Sequence, residues 1–341
     1  MHVRQRFGIG LRNDRQRLRQ RATQVDHRTT CRNRLVGILP TDFFTSGEEC
    51  QPHLSEIEAS KLAYAQILAT EGHGLPRGVA AGEAVSRQYA DKAVAAGCTV
   101  IDLSGALAQA LPIVPEANAE TLADVHAPYL LSSPAPAATA LAAVLGPLRD
   151  QLGLRRVVLN AALAVSTLGR AGIAELARQT TELLNMRPLE PQLLDRQVAF
   201  NLLAQVGALE EGGHARLERR VATELKQVLG IEGLKVSVSC SLAPVFFGDS
   251  LAVCLQTDKP VDVPAVAALL AQQSAIELVE TGDYPTVVGD AVGQDELYVG
   301  RLRAGLDDPA ELNLWIASDN VRKGSALNAV QIGELLIKHY L

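Results

Sequence analysis

The sequence predicts an α/β protein in which a parallel-sheet domain is followed by a domain with a mixed sheet. Residues 84–96 have helical character, end at Gly97 and lead into a short buried strand at 98–103. Helix, glycine cap and apolar strand together form the unit of a parallel α/β sheet. Residues 234–242 alternate instead between apolar and polar side chains, which is typical of a strand covered on one face only.

The other elements follow from the same two patterns. Further helices are predicted at residues 141–152, 173–184, 263–272 and 325–340. Further strands are predicted at residues 156–163, 250–256 and 314–318. Before residue 79 no clear strand is visible, and residues 56–68 form the one plausible helix.

These patterns divide the chain into four parts. Residues 1–78 are an atypical arginine-rich segment, and residues 79–135 are the remainder of the first domain. Residues 136–322 form the second domain, and residues 323–341 form a C-terminal helix that is expected to return to the first.

Charge is distributed unevenly over the 341 residues. Residues 1–34 contain ten arginines against Asp14 and Asp26, which gives this segment a net charge of +8. Because the whole chain has a net charge of −6, the remainder carries −14. This acidic main body has no basic stripe, so we do not expect it to bind nucleic acid.

Membrane spans, secretion and metal sites are not expected either. The chain has no run of 18 apolar residues and no apolar signal region at its start, so a cytoplasmic protein is predicted. Its five cysteines are odd in number and lack metal-ligand spacing, which argues against a disulfide framework and a metal centre.

Four segments resemble the aspartate-semialdehyde dehydrogenase family, in the correct order. Residues 319–328 (DNVRKGSALN) are close to the family's DNLRKGAALN, and residues 197–206 (QVAFNLLAQV) resemble its IAFN segment. Residues 100–106 (VIDLSGA) resemble VIDxSSA, and residues 111–118 (LPIVPEAN) resemble a segment with VPEVN. From about residue 80 the chain is identified as a member, most similar to the divergent USG-type branch.

The resemblance implies a fold and a reaction. The fold is a Rossmann-like nucleotide-binding domain, abnormal or incomplete at its N-terminal part, plus an α+β dimerisation and substrate domain with a mixed sheet. The reaction is the NADP-dependent interconversion of aspartyl phosphate and aspartate semialdehyde in amino-acid biosynthesis. A cysteine forms a covalent intermediate, a histidine moves the proton, a glutamine orients the intermediate and an arginine holds the substrate.

The matching positions of this chain lack those residues. Pro136 stands at the cysteine position and Leu163 at the glutamine position. Leu242 replaces the arginine and Asp249 the histidine, while Ala108 occupies the place of a phosphate-binding arginine. No catalytic residue is therefore expected, and the chain is predicted to be a catalytically inactive relative.

Other family positions survive. By position, the cofactor contacts would be Ser104, Gly105, Ser166, Gly169 and Asn328. Glu218 and Arg220 keep an acid-then-base pattern used for substrate, although two charges on a helix are also typical of a solvated face. NADP binding is in question because the GxxGxxG loop is absent: residues 7–13 (FGIGLRN) follow no strand and lack the third glycine.

Three functions remain open. The leading hypothesis is a silent relative that forms a homodimer or pairs with an active relative. The alternatives are a dehydrogenase for another aldehyde or acyl substrate, and a nucleic-acid binder that uses the arginine-rich arm. Residues 1–78 are either a diverged arm or a translation of another reading frame joined near Val79, and are predicted to be poorly ordered.

Overall fold

Two β-sheets organise the chain, of which the computed structural model describes residues 76–79 and 82–340. The strands are β1 (Pro76–Val79), β2 (Thr99–Asp102), β3 (Leu111–Pro112), β4 (Leu130–Ser132), β5 (Leu154–Leu163), β6 (Lys235–Leu242), β7 (Asp249–Thr257), β8 (Ile276–Leu278), β9 (Leu297–Ala304) and β10 (Glu311–Ser318). The α-helices are α1 (Glu83–Ala95), α2 (Pro115–Asn118), α3 (Pro136–Leu145), α4 (Arg149–Leu152), α5 (Gly169–Leu184), α6 (Arg216–Leu229), α7 (Val263–Leu270) and α8 (Asn328–His339).

The first sheet is parallel, with the strand order β1-β2-β4-β3. Helix α1 packs on one face, where Ala90 and Ala93 cluster with Val100. Helix α8 packs on the other face, where Ile332 clusters with Ile101. Neighbouring residues of β2 therefore point to opposite faces, as the pleat requires.

Strand β1 begins inside the segment in which the sequence shows no strand, so that expectation is wrong for residues 76–78. The four residues pair in parallel with Thr99–Asp102 through the backbone. A strand this short has no room for a visible apolar period. The helix expected at 56–68, the arginine-rich arm and the order of residues 1–75 lie outside the described residues.

The second sheet is mixed, in agreement with the predicted fold class. Its order is β6-β5-β7-β10-β9-β8; β6 pairs with β5 and β8 with β9 in parallel, and the other pairs are antiparallel. One face carries the main apolar core, in which Leu159 and Leu251 pack with side chains of α3 and α6. The other face carries mainly side chains that are half-buried or exposed. Six of these define the open face, and none of them is buried: Val158, Asn160, Ala252, Cys254, Asn313 and Trp315.

The helix predicted at residues 141–152 is wrong in its bounds. Helix α3 begins at Pro136, because the fixed φ of proline suits the first turn of a helix. It ends before Gly146 and Pro147, which form a 3₁₀ turn ahead of α4. A Cβ at Gly146 would lie 2.7 Å from the Cα of Ala117, so this position allows the two segments to approach closely.

Besides β1, four strands were not predicted. Strands β3, β4 and β8 have only two or three residues each, too few to show a period. In β9 the backbone of Arg301 has φ +58°, and the pairing with β10 shifts register. A bulge of this kind interrupts the alternation of side chains. Within residues 76–79 and 82–340, no helix is long and apolar enough to cross a membrane.

Candidate functional site

The positions that the family resemblance assigns to catalysis meet at the ends of neighbouring strands. Leu163 ends β5 and Leu242 ends β6, and the two residues lie directly opposite each other in the parallel register. Asp249 begins β7 and accepts a hydrogen bond from the backbone N–H of Ala164 at 3.1 Å. Leu163 and Leu242 are only 2% and 1% exposed, so both side chains belong to the apolar core.

Pro136 lies at the start of α3, where Gly324 contacts it closely. A Cβ at Gly324 would lie 2.7 Å from the Cβ of Pro136. The flanking Ala135 and Ala137 are buried and carry no reactive group. The hydroxyl of Ser133 is also buried and accepts a hydrogen bond from Asn328 Nδ2 at 2.8 Å. Nothing at this turn resembles an activated nucleophile.

Asp249 is a titratable group at the strand ends. Burial raises the pKa of its carboxyl to about 7, and the charge of Asp319 adds to the rise. The hydrogen bond from Ala164 acts in the opposite direction. At neutral pH a substantial fraction of Asp249 is therefore uncharged.

Arg220 is not on a solvated face, and that interpretation of the helix is wrong. Its Nη1 donates to the carbonyl oxygen of Ser104 at 3.0 Å, and its Nε donates to Glu224 at 2.8 Å. The guanidinium lies over Gly105, where a Cβ would be 2.2 Å from its Cζ. Glu224 in turn accepts from the N–H of Ala135 at 2.7 Å, so this pair joins α6 to the loop after β2 and to the start of α3.

Glu218 also makes internal bonds. One carboxylate oxygen accepts from the N–H of Ala215 at 2.8 Å, at the N-terminus of α6. The other accepts from the N–H of Cys240 at 2.9 Å and so ties the helix to β6. Capping of this kind is a structural role.

The residues proposed to contact a cofactor are mostly engaged as well. Ser104 bonds to Asp102 through both its N–H and its hydroxyl. Ser166 bonds to Asn320 at 2.9 Å. Asn328 is fully buried, and its Nδ2 donates to Ile113 and Ser133. Gly169 begins α5, and a Cβ there would meet nothing within 4 Å.

The cysteines of the described part are poor nucleophiles. Burial, assisted by Glu218 and Asp249, raises the pKa of the Cys240 thiol to about 12. Cys98 and Cys240 are buried and Cys254 is half-buried. Among residues 82–340, no group of three or more His, Cys, Asp or Glu is arranged to hold a metal ion.

Sequence reasoning missed two buried charges that organise this region. Lys323 is completely buried and donates to Glu116 and Gln331. Glu224 is buried beside Arg220. The i,i+4 spacing of Arg220 and Glu224 was a readable signal. The pairing of Lys323 with Glu116 joins segments 207 residues apart and had no local signal.

Comparison with known proteins decides the family. Residues 145–323 match the family model described as semialdehyde dehydrogenase, dimerisation domain. A USG-1 protein homologue from Pseudomonas aeruginosa is 60% identical over 264 residues, which cover 77% of this chain and 79% of the relative. An aspartate-semialdehyde dehydrogenase from Shewanella sp. is 37% identical over 264 residues, which cover 76% and 78%. The chain belongs to the aspartate-semialdehyde dehydrogenase family.

Solved structures agree with this assignment and with the fold class. The structure of a probable aspartate-semialdehyde dehydrogenase from Pseudomonas aeruginosa is 57% identical and has a TM-score of 0.77, covering 81% of this chain and 82% of that one. An aspartate-semialdehyde dehydrogenase with NADP from Candida albicans, covering 76% of each chain, is 17% identical with a TM-score of 0.59, which shows a shared fold. The predicted resemblance, including the USG-type branch, is confirmed.

Proposed function

We propose that this chain is a member of the aspartate-semialdehyde dehydrogenase family that has lost the family's chemistry and acts through binding, as a homodimer. The observation that carries this proposal is the apolar character of the strand ends. Leu163 and Leu242 are packed into the core, and Pro136 fills the nucleophile position. A covalent mechanism needs a thiolate and a proton carrier, and these positions supply neither a sulfur atom nor an imidazole.

Other groups nearby do not replace the missing ones. The Cys240 thiol has a pKa of about 12, so it is protonated at neutral pH. The backbone N–H of Cys240 is held by Glu218. Losing both nucleophile and base removes several orders of magnitude of rate.

Three of the five proposed cofactor positions are closed by contacts within the chain. Arg220 lies over Gly105 and bonds to Ser104, so a nucleotide could reach these two residues only by displacing the guanidinium. Asn328 is buried behind Ser133. We therefore infer that this chain does not hold NADP at these positions.

One observation favours the alternative of an altered dehydrogenase. The pKa of Asp249 is about 7, which suits a general acid or base. Its carboxyl is 1% exposed and bonds to a backbone amide, however, and the described residues place no activated nucleophile beside it. Asp249 could therefore act as an acid or base, but the alternative still lacks a nucleophile among the described residues.

The open face of the mixed sheet supports the homodimer. Its centre carries small and half-buried side chains, and a shallow cavity of about 350 Å³ lies between Asn160, Ala252 and Trp315. Packing with a second copy would cover this face and the only tryptophan of the chain. A stable interface of this type buries roughly 800 Å² on each partner.

Two measurements test the proposal. In a titration followed by nucleotide fluorescence, the purified chain should not enhance NADPH emission, whereas an active family member should. In sedimentation velocity the chain should be a dimer, and Ala252→Arg should convert it to monomer. Lys226→Ala, a change on the exposed part of α6, is the matched control and should leave the dimer intact. A monomeric wild-type chain would contradict the dimer, and tight NADPH binding would favour the altered dehydrogenase.

A further inference from the structure

Two basic side chains stand directly opposite each other near the amino ends of β5 and β6. Arg156 and Lys235 are partners in the parallel register, so both point to the same face of the sheet. Like charges in this arrangement destabilise a sheet. The guanidinium of Arg156 donates to the neutral hydroxyl of Ser237 at 3.3 Å. Within the described residues, neither Arg156 nor Lys235 forms an ion pair with a carboxylate.

The two cations line a cleft of about 630 Å³, a size typical of sites for small molecules. Arg149 and Arg155 line the same cleft, but they already pair with acids: Arg149 with Glu120 at 2.7 Å, and Arg155 with Asp258. Their charges are thus largely compensated. Arg156 and Lys235 form no ion pair with a described carboxylate, and Glu232, which also lines the cleft, is one carboxylate against these two cations.

This positive cleft belongs to an acidic body. Beyond residue 34 the chain carries a net charge of −14, so the cleft is positive in a part of the chain that is acidic as a whole. A cleft with an excess of positive charge focuses the field and raises the local concentration of anionic ligands. An unfavourable pair of like charges at such a place indicates a role other than stability.

We propose that this cleft binds a phosphate-bearing small molecule, with Arg156 and Lys235 as its anchors. The planar fork of an arginine matches two phosphate oxygens, and a lysine ammonium adds a point charge. The cleft lies away from the strand ends that hold Leu163 and Leu242, because Arg156 and Lys235 are at the opposite ends of the same strands.

A carboxylate of a second copy is the competing occupant of the cleft. Besides Glu232, the nearby acid on the open face is Glu311, which already accepts a hydrogen bond from Asn313 at 2.6 Å. The same side of the sheet adds two more exposed cations, Arg301 and Arg303. The described residues around the cleft therefore carry more positive than negative charge, which favours a small anion as its occupant.

The test uses thermal unfolding of the full chain at constant ionic strength, set with NaCl. Inorganic phosphate at about 10 mM should raise the midpoint by about 2–4 °C if the dissociation constant is about 1 mM. ATP is tested in parallel, and a larger shift with ATP would identify the ligand as a nucleotide. The variant Arg156→Gln with Lys235→Gln should lose the shift. Without ligand, this variant should unfold about 1–3 °C higher than the wild type, because the repulsion is gone.

The matched control is Arg219→Gln with Lys226→Gln, which removes two exposed cations of α6. This control should keep the full phosphate response. Equal responses of the wild type and the cleft variant, or no response of the wild type to either ligand, would overturn the proposal. Loss of the dimer in the cleft variant would also overturn the proposal, because the two cations would then belong to an interface between copies. If the chain proved to be a monomer or an active enzyme, the phosphate response should remain. The proposed function and the proposed phosphate site can therefore fail separately.

Discussion

Leu163 and Leu242 face each other across two parallel strands, at the places where the family resemblance expects a glutamine and an arginine. Both are inside the main core. Two apolar side chains that pack against each other need no polar partner nearby. At these two positions the strand ends are therefore part of the apolar core.

Restoring the family's glutamine at the end of β5 should lower stability. Leu163→Gln would bury an amide without prepared partners, which costs about 1–3 kcal/mol. Ala162→Gln is the matched control, because the neighbouring residue points to the opposite, half-exposed face and should change stability by less than about 0.5 kcal/mol. Urea unfolding measures both. Equal midpoints would show that the strand ends have room and partners for a polar side chain.

Asp249 should make stability depend on pH. Its pKa is about 7 in the folded chain, above the ordinary value of 3.8. Between these values the folded state holds a proton that the unfolded state has released, so stability should fall as the pH rises from 4 to 7 and then level off. The loss is on the order of 4 kcal/mol. Asp249→Asn keeps an acceptor for Ala164 and should remove this contribution.

Urea unfolding at pH 5 and pH 8 checks this expectation. The wild type should lose more stability between the two values than Asp249→Asn does. If the two proteins showed the same difference, Asp249 would be ionised throughout. The environment of the Asp249 carboxyl would then be more polar than the burial of this residue indicates.

Gly105 should tolerate no side chain while Arg220 is present. A methyl group there would overlap the guanidinium, and the backbone has φ +72°. Gly105→Ala should therefore cost about 2–4 kcal/mol, the sum of backbone strain and a clash. Gly97→Ala is the matched control, with φ +78° and nothing within 4 Å of its Cβ, and should cost about 1 kcal/mol.

The double variant Gly105→Ala with Arg220→Ala identifies the cause. If the guanidinium is the obstacle, removing it should reduce the penalty of Gly105→Ala to the level seen at Gly97. The measurement is thermal unfolding of the wild type, Gly105→Ala, Arg220→Ala and the double variant. A penalty that stays the same without Arg220 would assign the requirement for glycine to the backbone alone.

Much of this architecture was readable from the sequence, since β5 to β7 and β10 have regular apolar patterns and were predicted close to their bounds. The family was readable from four ordered motifs. The parts that were missed depend on three-dimensional contacts. The closure of Gly105 by Arg220, for example, joins positions that are 115 residues apart. Local patterns contain no signal for such contacts.

The candidate site shows the same division. That Pro136, Leu163 and Leu242 cannot perform the family's chemistry follows from their residue types alone. That Arg220 and Glu218 bond within the chain required coordinates, because a charged pair on a helix resembles a solvated face in sequence. The opposition of Arg156 and Lys235 also depends on the register of two strands that are far apart in sequence.

Turnover is the most direct test of the central claim. The purified chain is incubated with aspartate semialdehyde, phosphate and NADP⁺, and the absorbance of NADPH is followed beside an active family member at equal concentration. We expect a rate no higher than that of the buffer alone. A rate within about tenfold of the active enzyme, a difference of only about 1.4 kcal/mol in barrier height, would contradict the loss of catalysis.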